Sequence, residues 1–182
     1  PPKRGLRAVV VGGGWGGLAL FMAREYGVHV TGLTLSEEQL RVAQQRAKDE
    51  KLDSRVEFVL QDYRLHEPAE GAYDAIVSVG MFEHVGRPQY DTFFDKVSAL
   101  LKPDGRSLIH TIGRTGAPAV GSPWIRKYVF PGGYVPALSE VAETMEKTEL
   151  VLADLEVLRL HYAETLKEWH RRFMAAREQI AA

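Results

Sequence analysis

The chain has no cysteine, and this absence removes several kinds of chemistry at once. Disulfide bonds, thiolate metal sites and a cysteine nucleophile are all excluded. The lack of cysteine is also typical of a reducing compartment, so we expect a cytoplasmic protein. The chain has no apolar run long enough to span a bilayer, and its first residues do not have the pattern expected of a signal peptide.

Excess charge is lacking as well, because the formal net charge is only -1 over 182 residues. This balance gives no bulk attraction to nucleic acid, so we expect no nucleic-acid partner. We also predict no metal site. Apolar residues make up 45% of the chain and charged residues 26%, as in an ordinary globular protein. The length suits one domain, and we expect a single domain over 1–182.

Short apolar runs alternate with amphipathic segments along the chain, which predicts a doubly wound, Rossmann-like α/β sheet of parallel strands. The predicted strands cover 6–11, 29–33, 55–60, 73–79, 106–111 and 151–160. The predicted helices cover 18–26, 36–50, 89–101, 139–147 and 162–180. We expect Ser36 to form a capping box with Gln39, Ser139 to cap its own helix, and 103–105 to form a turn. The segment 112–137, rich in glycine and proline, is predicted to be a functional loop.

A glycine-rich turn, Gly12-Gly13-Gly14-Trp15-Gly16-Gly17, joins the first predicted strand to the first predicted helix. Glycine lets the backbone approach a ligand closely, and the helix start offers free N–H groups. NAD enzymes use the same pattern, but they place an acidic residue at the end of the second strand. Here that strand is followed by Thr34-Leu35-Ser36. The next acids, Glu37 and Glu38, fall in the first turn of a helix, where they complement its dipole.

A second motif, Gln61-Asp62-Tyr63, follows the third predicted strand at its carboxyl end, where open α/β sheets bind ligands. Asp62 can accept a hydrogen bond from an adenine amino group, and Tyr63 can pack against the ring. The alternative is an ordinary turn in which Asp62 caps the next element.

Seven blocks of the sequence together carry a resemblance to a known family. In chain order they are Gly12-x-Gly14-Trp15-Gly16-Gly17-Leu18, Thr34-Leu35-Ser36-x-x-Gln39, Gln61-Asp62-Tyr63, Ser78 to Gly86, His110-Thr111-Ile112-Gly113, Trp124 to Gly133 and Leu160 to Trp169. Together they resemble the cyclopropane-fatty-acyl-phospholipid synthases and the related mycolic acid cyclopropane synthases, class I S-adenosylmethionine-dependent methyltransferases. The resemblance extends from about Leu6 to Glu178. It implies methyl transfer to the double bond of an unsaturated phospholipid acyl chain, with formation of a cyclopropane ring.

The resemblance also implies a site for S-adenosylmethionine. Gly12 and Gly14 would face the methionine part of the cofactor. Thr34, Leu35 and Gln39 would contact the ribose, and Gln61, Asp62 and Tyr63 would surround the adenine. A bound bicarbonate is expected as the base, in a pocket formed by Glu83, His110, the backbone of Ile112 and Tyr162. Taken singly, Glu83 could be a helix-start charge and His110 a satisfied buried histidine.

Aromatic faces suit a passing cation, and the candidates are Phe82, Tyr128, Phe130 and Tyr162. The last predicted helix carries an apolar stripe from Tyr162 to Ile180, which we expect to pack on the domain or its acyl pocket rather than to meet lipid headgroups. A transient contact with a membrane surface, at the inner face, is compatible with the implied substrate.

The chain departs from the family pattern at Val10, where the family has an acidic residue, and at Gly13, where it has cysteine. The resemblance further implies that the family's N-terminal helical segment and final strand would lie outside this sequence. Two alternatives stay open. One is another class I methyltransferase, which makes a methyl or methylene branch or methylates a small amine. The other is a non-catalytic remnant of the fold. Acyl length, double-bond position and oligomeric state are not predicted.

Overall fold

The computed structural model describes residues 5–68 and 73–181, which form two compact units, 1–151 and 152–182. The elements of the first unit are β1 Arg7–Val11, α1 Gly17–Tyr26, β2 His29–Thr34, α2 Glu37–Asp49, β3 Val56–Leu60, β4 Tyr73–Val79, α3 Tyr90–Leu100, β5 Leu101–His110, α4 Pro123–Tyr128 and α5 Leu138–Met145. Short 3-10 helices cover Tyr63–Leu65, Phe82–His84 and Arg87–Gln89. The second unit holds α6 His161–Ala175 and α7 Arg177–Ala181. The single domain over 1–182 stays a prediction.

The five strands form one parallel sheet in the order β3-β2-β1-β4-β5. This arrangement confirms the predicted doubly wound α/β class. Since all strands are parallel, their carboxyl ends reach the same edge of the sheet, and the motifs that follow them meet there.

The strand β1 supplies both cores because successive side chains point to opposite faces. Ala8 and Val10 join the core that contains residues of α1 and α2. Val9 and Val11 join the other core, which contains residues of α3. Both faces of β1 are therefore buried, which explains its uninterrupted apolar run.

Two predicted helix starts differ from the structure. Ser36 does cap α2, since its hydroxyl accepts from the Gln39 N–H at 3.3 Å. The Gln39 side chain, however, pairs with Thr34 instead of completing the capping box. The predicted cap at Ser139 is wrong, because Ala137 occupies the N-cap position of α5 and its N–H donates to the Glu140 carboxylate.

The predicted turn at 103–105 lies inside β5. Tyr73 pairs with Leu101 and Ala75 with Arg106, so two steps along β4 match five steps along β5. The three extra residues form an irregularity within the ladder, and β5 begins earlier than predicted.

The predicted strand over 151–160 is wrong, since this segment has no regular strand or helix. Alternating apolar residues favour a strand only where another strand supplies hydrogen-bond partners. Among the described residues no strand pairs with this segment. The predicted loop over 112–137 contains one short helix, α4. The described helices include none long and apolar enough to cross a membrane.

A close contact between β2 and β3 predicts that a side chain at Gly32 would destabilise the fold. A Cβ added at Gly32 would lie 2.6 Å from Phe58 Cδ1, and Phe58 is buried. We expect Gly32→Ala to lower the free energy of unfolding by about 1–3 kcal/mol, because the core must shift to admit the methyl group. Denaturant unfolding measures the change. Gly116→Ala is the control, since a Cβ there meets nothing within 4 Å. Equal midpoints for the two variants would contradict the prediction.

Candidate active site

The glycine loop is held to the end of β2 by backbone hydrogen bonds. Gly12 N and Gly13 N both donate to the Leu33 carbonyl, at 3.1 and 2.7 Å. The Arg46 guanidinium of α2 donates to the Trp15 carbonyl at 2.7 Å. At Gly14, φ is +53° and a Cβ would meet nothing within 4 Å. The loop is therefore fixed on its inner side and open at Gly14, as a ligand cradle requires.

Val10, at the position where the resemblance implies an acidic residue, is only 2% exposed. Its side chain lies in the apolar core with Ala8 and Leu20. The bonds to Leu33 and from Arg46 shape the glycine loop with a valine at this position. A carboxylate at position 10 is thus not required for the shape of the loop.

Thr34 and Gln39 form a polar pair at the end of β2. The Thr34 hydroxyl donates to Gln39 Oε1 at 2.8 Å, and Thr34 is buried. Because the amide oxygen of Gln39 accepts from Thr34, this bond does not involve the two N–H groups of Gln39 Nε2. Leu35, between them in the chain, is exposed. The pair can offer donors to hydroxyl oxygens of a ligand.

The Gln61 side chain is engaged inside the protein. Its Oε1 lies 2.9 Å from Nδ1 of the buried His66, and its Nε2 donates to the Leu65 carbonyl at 3.3 Å. His66 Nε2 lies 2.8 Å from the Tyr73 hydroxyl. Because the amide oxygen can only accept, Nδ1 carries the proton and Tyr73 donates to Nε2. Burial lowers the pKa of His66, since the charged imidazolium would lose solvation.

Asp62 caps the 3-10 helix that follows β3, accepting from the Arg64 N–H at 2.9 Å. It also forms an ion pair with the Arg64 guanidinium, and this pairing lowers the pKa of Asp62. Asp62 therefore acts as a helix cap, as the alternative interpretation of the sequence predicts. The Tyr63 ring packs edge-on against Phe93 at 5.4 Å between centroids, and burial raises the pKa of the Tyr63 hydroxyl.

Glu83 follows β4 and connects to the end of β5. Its Oε1 accepts from the Ile112 N–H at 2.6 Å. Its Oε2 is buried and has no hydrogen-bond partner in the described chain. A buried carboxylate oxygen without a donor raises the free energy of the protein unless a proton or a ligand pairs with it. Glu83 is thus the group at this edge that most requires a partner.

The other predicted catalytic residues differ in placement. His110 ends β5 and is exposed, so its alternative interpretation as a satisfied buried histidine is wrong. Its carbonyl accepts from Gly80 N at 3.0 Å, which brings the ends of β4 and β5 together. Tyr162 belongs to the second unit, where its ring lies 6.1 Å from that of Trp169. Glu83 and Ile112 are therefore in contact, and the backbone of His110 lies at the same edge of the sheet. Tyr162 lies in the second unit.

Phe82 does not fit the role of an aromatic face for a cation. It is fully buried, and its ring stacks on Tyr90 at 4.5 Å between centroids. Tyr128 and Phe130, by contrast, are exposed.

Sequence reasoning missed two buried polar groups: His66, which pairs with Gln61, and Glu140, which pairs with Tyr134 and Ala137. Neither stands in a recognisable motif. The one available signal for Glu140 was its position three residues after Ala137, which is the capping-box spacing. That signal was hidden because alanine is a poor N-cap residue.

The mycolic acid cyclopropane synthetase family model matches residues 3–182. The cyclopropane-fatty-acyl-phospholipid synthase of Escherichia coli K12 is 45% identical over 179 residues, which are 98% of this chain and 45% of that protein. The chain thus spans less than half the length of this relative.

Solved structures give the same likeness. The cyclopropane synthase MmaA2 from Mycobacterium tuberculosis has a TM-score of 0.86 at 29% identity, covering 97% of this chain and 66% of that one. Phosphoethanolamine N-methyltransferase 2 of Haemonchus contortus, in complex with S-adenosyl-L-methionine, has a TM-score of 0.85 at 28% identity, covering 100% of this chain and 41% of that one.

The buried His66 makes stability depend on pH. Its pKa is lower in the folded chain than the ordinary value of about 6.5, so below that pH the unfolded chain binds the proton more readily. Stability should therefore fall as pH drops from 7.5 to 5.5. We expect His66→Gln to lose less thermal stability over this interval than the unmodified chain, as measured by melting temperatures at each pH.

His29→Gln serves as the control, because His29 is exposed at the start of β2. The control should show the unmodified pH slope. If His66→Gln showed that slope too, the protonation argument would be wrong.

Proposed function

The chain belongs to the mycolic acid cyclopropane synthetase family, and from this premise we propose that it carries out S-adenosylmethionine-dependent methyl transfer to the double bond of an unsaturated phospholipid acyl chain, forming a cyclopropane ring. The observation that carries this proposal is the unpaired, buried Glu83 Oε2 at the sheet edge that also bears an open glycine loop. A nucleotide cradle and a proton acceptor at one edge are what such a reaction needs.

The glycine loop and the polar pair after β2 fit the cofactor. Gly14 leaves open space, and Gln39 retains amide donors for the ribose hydroxyls. The proposed adenine contacts are Asp62, whose carboxylate would accept from the amino group, and Tyr63. Gln61 would act through its backbone, because its side chain is engaged with His66. When bound, S-adenosylmethionine supplies an electrophilic methyl group.

Glu83 and His110 are proposed to assist removal of the proton that leaves the added methyl group as the ring closes. Glu83 Oε1 is fixed by the Ile112 N–H, which leaves Oε2 to share a proton with a bound base. Bicarbonate is proposed as that base, because a protonated oxyanion and a carboxylate can share one proton. The Ile112 N–H is used by Glu83, so its own contribution to the anion would be indirect. Tyr162 stays a proposed contributor from the second unit.

An exposed surface around α4 supports contact with lipid. Trp124 and Tyr128 are 61% and 63% exposed, and Arg126 and Lys127 lie between them in the helix. The chain has no acidic residue from Gly105 to Ser139, although Arg106, Arg114, Arg126 and Lys127 are basic. Aromatic and basic side chains on one short helix suit the boundary of an anionic bilayer. We propose this surface as the place where the phospholipid approaches.

Two other functions remain candidates. The N-methyltransferase of H. contortus matches the fold with a TM-score of 0.85, beside 0.86 for the cyclopropane synthase, so the fold alone does not choose the acceptor. A non-catalytic remnant would fit the replacements at Val10 and Gly13. Product analysis by gas chromatography of acyl esters separates the acceptors, and a cofactor titration tests the remnant.

The open space at Gly14 predicts the effect of a side chain there. We expect Gly14→Val to abolish binding of S-adenosylhomocysteine, because the branched side chain would fill the space that the ligand needs. Isothermal titration calorimetry measures the affinity. Gly5→Val is a matched control, since Gly5 also has a positive φ and open space but precedes β1. Unchanged affinity in Gly14→Val would place the ligand elsewhere.

The proposed roles of Glu83 and His110 predict that their substitution lowers kcat without weakening cofactor binding. Glu83→Gln and His110→Ala should lower kcat by about 100-fold or more while the affinity for S-adenosylhomocysteine changes little, because loss of a group that assists proton removal acts on the chemical step. The assay is cyclopropane formation on vesicles of a monounsaturated phosphatidylglycerol.

Glu67→Gln and His29→Ala are the controls, since both residues are exposed and lie outside the site. Wild-type rates in Glu83→Gln and His110→Ala would remove these residues from the mechanism. No product from the unmodified chain would overturn the proposed function itself.

A further inference from the structure

Glu140 is a buried carboxylate that the proposed chemistry does not use. The residue is 3% exposed, yet it lies near the start of a surface helix, α5. The Tyr134 hydroxyl lies 2.9 and 2.8 Å from its two oxygens, and the Ala137 N–H donates to Oε2 at 3.0 Å. Arg87 Nε lies 3.3 Å from Oε1. Both oxygens of this carboxylate are therefore engaged by groups of the protein.

The segment 134–137, which Glu140 bonds at both ends, bridges the loop that carries Glu83 and the loop that carries Ile112. Tyr134 N donates to the Glu83 carbonyl at 2.9 Å. Arg114 N donates to the Pro136 carbonyl at 2.8 Å, and Arg114 forms a bridge with Ala137. One end of the segment is thus bonded to the loop after β4, and the other end to the loop after β5.

The carboxylate also connects to the Glu83 loop by a second route. Arg87 stands four residues after Glu83 and pairs with Glu140 across the segment. Burial, together with the hydrogen bond to Glu140, raises the pKa of Tyr134, so its hydroxyl stays protonated and donates. Burying a carboxylate is costly unless several donors surround it, and here a hydroxyl, an amide and a guanidinium do so.

We propose that Glu140, through Tyr134 and Arg87, is a positioning residue that fixes Glu83 and Ile112 in the arrangement needed for proton removal. This inference rests on the proposed function. Glu140 does not itself contact the reacting atoms, because its oxygens are taken by the segment 134–137 and by Arg87. Its effect reaches Glu83 through the backbone bond from Tyr134. A misplacement of about 1 Å in a group that orients the reaction can cost up to about 100-fold in rate, so loosening the bonds between Glu140 and the segment 134–137 should slow the chemical step.

The test compares Glu140→Gln and Tyr134→Phe with the unmodified chain in the vesicle assay. Glu140→Gln removes the charge that pairs with Arg87 and places an amide donor against other donors. We expect its kcat to fall by about tenfold, with the KM for S-adenosylmethionine and the Kd for S-adenosylhomocysteine within about twofold of the unmodified values. Tyr134→Phe keeps the backbone bond to Glu83 and should lower kcat less.

Two control variants on α5 separate positioning from a loss of stability. Thr144→Val removes the hydroxyl that donates to the Glu140 carbonyl, at 2.9 Å, and leaves the carboxylate intact. Glu143→Gln removes an exposed charge from the same helix. Both should keep the unmodified kcat, even though Thr144→Val should lower the melting temperature.

Amide hydrogen exchange tests, independently of turnover, whether Glu140 holds the segment 134–137 against the loops of Glu83 and Arg114. In Glu140→Gln, the amides of Tyr134 and Arg114 should exchange faster, while that of Gly12, bonded to Leu33, should be unchanged. An unchanged kcat in Glu140→Gln, or an equal fall of kcat in Thr144→Val, would overturn the positioning role and leave the proposed function standing. Unchanged exchange at Tyr134 and Arg114 would contradict the claim that Glu140 fixes the segment 134–137. A chain that forms no product at all would overturn the proposed function, and the positioning role with it.

Discussion

The parallel hydrogen bonding of five strands brings every strand end to one edge of the sheet, and the candidate site depends on that alignment. The glycine loop, the Thr34–Gln39 pair, the Asp62 turn, Glu83 and Ile112 all follow strands at this edge. None of these groups is close to the others in the chain. An antiparallel sheet would have sent half of them to the opposite edge.

Close packing beneath the edge sets the position of the glycine loop. A Cβ at Gly16 would lie 2.8 Å from the Phe58 ring, and a Cβ at Gly32 would lie 2.6 Å from the same ring. The two glycines therefore let α1 and β2 approach β3 as closely as they do. The Leu33 carbonyl then accepts from Gly12 and Gly13. Backbone geometry of this kind explains why an apolar residue at position 10 is compatible with an ordered loop.

The rim around Glu83 is held by a different kind of interaction. Here the two loops after β4 and β5 are joined by the segment 134–137, and a buried carboxylate satisfies that segment at both ends. Such a group is stable only while its donors stay in place, so it favours one arrangement of the rim over others. The loops around Glu83 are thus held by an electrostatic interaction, whereas the glycine loop is held by close packing and backbone hydrogen bonds.

Local patterns in the sequence were enough to predict the fold class, the family, the strands β1 to β4 and the residues that follow them. Apolar periodicity and glycine spacing act over a few residues, so they can be recognised without coordinates. The partners of polar side chains were not predictable in this way. Gln39 pairs with Thr34 rather than with its own helix start, and Ala137 rather than Ser139 begins α5. Likewise, 151–160 has a strand-like pattern but no strand to pair with in the described chain. The sequence by itself determined which residues follow each strand, because apolar periodicity and turn chemistry are local. Only the tertiary structure decided which polar atoms there are satisfied and which, like Glu83 Oε2, have no partner among the described residues, because a hydrogen bond depends on distances between residues far apart in the chain.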